Sequence, residues 1–136
     1  MSDLDALTNT VQQAMELSLR DRKDEALDIF DASILMAVGK NKAVWISVLC
    51  CNAAAVAESA GYLERAEQYI SRSLAIDPDN PLSLYTMANV LARQHRIDEA
   101  QEFAAKSYRS CLLQGGTDSR SLMELILLRW PNIEHN

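Results

Sequence analysis

Glycine and proline are scarce, with four and three in 136 residues, so the chain has too few breakers for a many-turned β fold. Cations are also short: 13 Lys and Arg against 19 Asp and Glu give a net charge of −6. That balance disfavours a nucleic-acid backbone or an anionic membrane as the ligand, since both select a basic face. No run approaches the roughly 18 apolar residues of a membrane span. The start, Met1-Ser2-Asp3-Leu4-Asp5, is acidic where a secretory signal would be basic. The expectation is a soluble, cytoplasmic, all-α body with neither nucleic acid nor membrane as partner.

Cysteine is limited to Cys50, Cys51 and Cys111, an odd number without metal-ligand spacing. Helical neighbours point about 100° apart, which disfavours a bridge between Cys50 and Cys51. Reduced thiols packed as small apolar side chains are expected. Groups for catalysis are equally sparse. His95 and His135 have no carboxylate or nucleophile at a useful spacing, and Cys51 has only the opposing charge of Glu58 nearby on its helix. HExxH, CxxC and Gly-rich phosphate motifs are absent. Asp24, Glu25, Glu64, Asp98 and Glu99 fall at helix starts, where the helix dipole accounts for them. Arg93, His95 and Arg96 form one basic knot, read as a solvated turn. The chain is not expected to be an enzyme or to need a metal or cofactor.

What is present is a repeat. Leu63-Glu64-Arg65-Ala66-Glu67-Gln68-Tyr69-Ile70 returns one period later as Ile97-Asp98-Glu99-Ala100-Gln101-Glu102-Phe103-Ala104, and the first copy ends in Asp77-Pro78-Asp79-Asn80-Pro81. Paired helices at a period of about 34 residues stack into a solenoid, and a solenoid is a binding surface. The pattern resembles the tetratricopeptide repeat. That resemblance implies a right-handed superhelical solenoid of about three helix hairpins plus a C-terminal capping helix. The chain then reads as one domain, 1–136, with repeats at about 7–40, 47–80 and 81–114 and the capping helix at about 118–130. Whether it is a complete protein or part of a longer array stays open.

With the proline of Asp-Pro at position 32 of a repeat, Ala54 and Ala88 stand at position 8, Ala66 and Ala100 at 20, and Ser73 and Ser107 at 27. Small residues recur where helices cross closely. Leu63, Ile70 and Leu74, with Ile97, Ala104 and Tyr108, fill the stripe between them. An earlier copy places Ala14 at position 8, Ala26 at 20, Phe30 at 24, Ser33 at 27 and Ile34 at 28. Ala26 stands six positions further from Ala66 than Ala66 does from Ala100. The extra residues must therefore lengthen the second helix or start the next one early, near Lys42, with Trp45 inside the extension. Gly39 is expected as a C-terminal cap and Asn41 as the next N-cap. Ser2 and Asp5 form an Asp variant of the capping box, starting the first helix at about Asp3.

After Gly115-Gly116, Thr117 is expected to cap a last helix over 119–130, stopped by Pro131, and residues 132–136 to fray. Leu122, Met123, Ile126 and Trp130 share its broad face, leaving Leu125 or Leu128 toward Glu124 and Arg129. Apolar area left there makes the helix a candidate homodimer contact.

In the family resembled, the first helix of each repeat lines a concave groove, and ligands touch positions 2, 5, 9, 12 and 13. These are Thr8, Val11, Met15, Ser18 and Leu19; then Val48, Cys51, Ala55, Glu58 and Ser59; then Leu82, Tyr85, Asn89, Ala92 and Arg93. The family's clamp for a chaperone's terminal carboxylates needs converging long cations. Position 5 offers Val11, Cys51 and Tyr85 instead, and only Asn89 and Arg93 would contribute. The resemblance therefore implies an adaptor or scaffold binding an extended or helical apolar peptide. Its candidate groove residues are Val11, Met15, Val48, Cys51, Ala55, Glu58, Leu82, Tyr85, Asn89 and Arg93, with Tyr85 as anchor. Size, charge and repeat count are also similar in outline to secretion chaperones of bacterial type III systems, which hold an apolar client segment. A self-associating structural subunit is the remaining alternative.

Overall fold

The computed structural model describes residues 2–133, seven helices with no strand among the described residues. They fall into two units, Met1–Ile76 and Asp77–Asn136. No helix among the described residues is long and apolar enough to cross a membrane. His135 and the end of the tail lie outside the described residues.

The first unit holds α1 (Asp3–Leu19), α2 (Lys23–Gly39), α3 (Ala43–Ser59) and α4 (Leu63–Ile76). α1 starts at Asp3 through the expected capping box: Asp5 N donates to the Ser2 hydroxyl at 3.1 Å, and Ser2 N to the Asp5 carboxylate at 3.4 Å. Both expected routes absorb the six extra residues. Relative to the next hairpin, α2 runs three residues further past its alanine and α3 begins four earlier, with a connection one residue shorter. The core is built on Phe30, Leu27, Leu49, Ile70 and Val56, with Ala14, Ala26, Ala54 and Ala66 wholly buried between them.

A polar seam joins the second helices of the unit. Arg65 pairs with Asp31 at 2.7 Å and Tyr69 donates to the same carboxylate, while Tyr62 donates to Asp24 at 2.8 Å. The Arg65 guanidinium also lies 5.7 Å from the Tyr69 ring centroid, within cation–π range.

The second unit holds α5 (Pro81–Arg93), α6 (Ile97–Gln114) and α7 (Thr117–Arg129). Asn80 caps α5 by accepting from Ser83 N at 3.1 Å. Pro81 takes the first turn, where its missing N–H costs nothing. Leu84, Met87, Val90, Leu91, Cys111 and Ile126 form the core, again with wholly buried alanines, Ala88 and Ala100. The position-27 serines do more than fill space. Ser73 donates to the Ser47 carbonyl at 3.0 Å and Ser107 to the Pro81 carbonyl at 2.7 Å, so each ties a second helix to the start of its own first helix. Ser33 departs from this rule and donates within α2 to Ile29.

Three capping expectations are corrected. Thr117 is the first residue of α7, and Gly116, with φ 93°, is its cap. Gly39 is helical, Lys40 follows it as the cap, and Asn41 caps nothing: it sits at φ 54° in the middle of a three-residue turn. Asp21 (61°), Gly61 (84°) and His95 (63°) occupy the same place in the turns at 20–22, 60–62 and 94–96. In all four the left-handed amide donates three residues back and the next amide five back. Gly61 to Glu58 at 3.0 Å and Tyr62 to Ala57 at 2.9 Å are one example. This closes each helix with its carbonyls satisfied and reverses the chain in three residues.

Nothing lies within 4 Å of a side chain added at Gly61, so Gly61→Val should cost about 1–2 kcal/mol from backbone conformation alone. His95→Gly should gain about 0.5 kcal/mol, the relief of left-handed strain less the extra freedom glycine brings to the unfolded chain. Urea unfolding of both variants checks the turn; a stabilising Gly61→Val would contradict it.

Candidate functional site

The candidate positions lie on α1, α3 and α5, and each unit is described by itself. In the first unit α1 and α3 touch. Val11 and Met15 are half-buried, Thr8 is exposed, Ser18 is buried, and Leu19 at the helix end is exposed. On α3, Val48 is 43% exposed and Ala55 is open to solvent, Glu58 is half-buried, and Cys51 is buried at 8%. One turn before these rows stand Leu4 and Val44, 61% and 71% exposed, which the sequence reading did not single out. Across α1 and α3 the only charges are Asp3, Asp5, Glu16 and Glu58, without a lysine or arginine.

The extra turns of α2 and α3 build a further feature. A cleft of about 100 Å³ opens among Leu7, Thr10, Met36, Ala37 and Trp45, rimmed by the Asp3–Lys40 pair at 3.6 Å. Lys42 lies over the Trp45 ring at 5.2 Å. Only Trp45's place in an extension was readable beforehand, because the cleft depends on how three helices meet.

In the second unit Leu82 is 53% exposed and Arg93 is exposed, while Tyr85 and Asn89 are half-buried. These last two already have partners at the C-terminal end of the chain. The Tyr85 and Trp130 rings meet edge-to-face with centroids 6.3 Å apart, and Asn89 accepts a hydrogen bond from the Arg129 guanidinium at 2.6 Å. The expected anchor and its neighbour are thus brought together, but against the chain's own C-terminal segment. Ile126 and Trp130 are buried as read, with Leu125 and Leu128 at 50% and 81% exposure. Ile133, in the expected frayed tail, is buried at 6%.

The three thiols are buried and form no disulfide. Burial pushes Cys50 up to about 11 from an ordinary 9.0, and pushes Cys111 up as well. Thiols of this kind are poor nucleophiles at neutral pH. Burial, followed by the bond to Asp31, raises Tyr69 to about 12 from 10.0. No group of three or more His, Cys, Asp or Glu among the described residues is arranged to hold a metal.

The family model for the tetratricopeptide repeat matches residues 69–102, from α4 through α5 into α6. That stretch is one tetratricopeptide repeat. Among solved structures, the chain is similar to the Sgt2 TPR domain from Aspergillus fumigatus. That match has a TM-score of 0.68 at 14% identity and covers 96% of this chain and 83% of that one. It is also similar to the C-terminal TPR-containing domain of a putative FK506-binding protein from Plasmodium falciparum. Here the TM-score is 0.66 at 15% identity, covering 97% of this chain and 93% of that one. At these identities the likeness is one of fold, an all-α helical solenoid. No curated protein sequence matches the chain.

Cys50 and Tyr69 are acids whose neutral forms the fold favours. Their contribution to stability is complete below the unfolded values of 9.0 and 10.0 and is lost as pH rises through about 11 and about 12. The denaturation midpoint should therefore hold to about pH 9 and fall above it, less steeply in Tyr69→Phe. Identical alkaline slopes in wild type and both Tyr69→Phe and Cys50→Ala would contradict this.

Proposed function

We propose that the chain is a protein-interaction module, an adaptor or scaffold, whose first helices take an apolar segment of a partner in extended or helical form. The observation that carries this reading is the exposure of Leu4, Val44 and Val48 on α1 and α3, helices without a single lysine or arginine. Water-facing aliphatic side chains one turn apart, on a surface with few charges, gain by burial at roughly 25 cal/mol per Å² before ordering costs. Position 5 of the three first helices, held by Val11, Cys51 and Tyr85, supports an apolar ligand over a carboxylate-terminated one. Repeat proteins of this kind are interaction scaffolds, and the buried, raised thiols add no catalytic group.

Leu125 and Leu128 favour a second reading, self-association through α7. Sedimentation across a wide concentration range, with wild type and with Leu125→Glu/Leu128→Glu, separates it from the first, since a dimer lost in the variant places the contact on α7.

The test of the main reading is capture from native lysate, quantified by mass spectrometry, with wild type and with Val44→Glu/Val48→Glu. Burying either valine contributes on the order of 1.5 kcal/mol or more, so a partner held by this face should be retained at least about tenfold less by the variant. A partner retained equally by both places the binding surface elsewhere.

A further inference from the structure

The candidate row on α5 is occupied from within its own unit. Where α7 ends, Trp130 leaves helical geometry at φ −129° and ψ 72°, Pro131 follows, and the chain turns so that Trp130 and Ile133 keep only 7% and 6% exposure. Trp130 meets Tyr85 edge-on, Arg129 donates to Asn89, and the Arg129 guanidinium lies 5.2 Å from the Trp130 ring centroid. On α5 a cation thereby meets Asn89 and an aromatic ring beside it meets Tyr85, and an aliphatic residue, Ile133, is buried three positions after that ring.

The resident segment is held by Trp130 and Ile133, and the helix that carries it adds little to them. Within α7 the buried residues are Ser119 and Ile126, while Leu125 and Leu128 remain in water and the Arg129–Asn89 bond is exposed. A terminal helix with one wholly buried aliphatic side chain is the kind of element that opens locally at lower cost than a packed hairpin.

We propose that residues 129–133 are an internal occupant of the α5 face, displaced by a partner segment of the same chemistry. That segment carries an arginine or lysine, then an aromatic residue, then an aliphatic residue three positions after the aromatic. The proposal rests on reading the first helices as recognition faces, and adds the chemistry that α5 selects. Binding there is a competition: an incoming segment sees only the fraction of molecules whose own tail has left, and its apparent affinity falls by that fraction.

A fluorescein-labelled peptide with the sequence of residues 127–133, titrated by fluorescence polarisation against the full chain and against Arg129→Ala/Trp130→Ala, reads this directly. The variant should bind the peptide at least about tenfold more tightly than wild type, and a control peptide with alanine at the arginine and tryptophan positions should not bind. Equal binding to both proteins, or no binding to a variant whose circular dichroism and thermal transition show it folded, overturns the proposal. If the double variant does not fold, Trp45→Phe leaves Trp130 as the single tryptophan reporter. A peptide with phenylalanine for tryptophan should then red-shift its emission as the tail is expelled, and no shift at saturating peptide overturns the proposal. Should the peptide fail while the α3 variant still loses its captured partner, the recognition-face reading stands and this one falls.

Discussion

Both helices of each pair bury an alanine completely, and the rest of the structure depends on the close approach that so small a side chain permits. Ala54 and Ala66, and again Ala88 and Ala100, have no exposed surface and stand on helices that pack as hairpins. Two helices brought this near leave little length for a connection. Each hairpin is accordingly closed in three residues, with a left-handed middle residue satisfying the carbonyls of the outgoing helix. The same approach puts Ser73 and Ser107 within reach of the carbonyls of Ser47 and Pro81, turning two packing positions into ties between helices.

With the second helices packed on the first, each first helix keeps an outward row. On α1 and α3 that row is aliphatic and partly exposed, and on α5 it is aromatic and polar and already engaged by the segment that ends α7. The first helices of one small chain thus carry two faces of different chemistry.

Much of this was legible because the signals are local. Ser2 and Asp5 announce a helix start, Asn80-Pro81 another, and the periodic return of alanine and serine sets the pairing. The left-handed turns were only half legible: Gly61 carries a strong signal, whereas Asp21, Asn41 and His95 carry weaker ones. Aligning His95 with Gly61, one period earlier, would have exposed one of them. Asn41 misled because its type suits both an N-cap and a left-handed residue. Long-range partners left no trace in the sequence. Arg65 meets Asp31, Tyr62 meets Asp24 and Arg129 meets Asn89, pairings between distant positions that only the packed helices define. The self-occupied α5 face was missed for the same reason, although the two partners, Tyr85 and Trp130, had each been picked out by its own helix.

The most direct test of the account is thermal and urea unfolding of Ala66→Leu and Ala100→Leu beside wild type. Neither site has any exposed surface, so crowding the helix crossing with a larger side chain should cost about 1–3 kcal/mol in each variant and lower its unfolding midpoint. Wild-type stability in both would mean that the helices do not meet on these alanines, and the register on which every assigned face depends would be wrong.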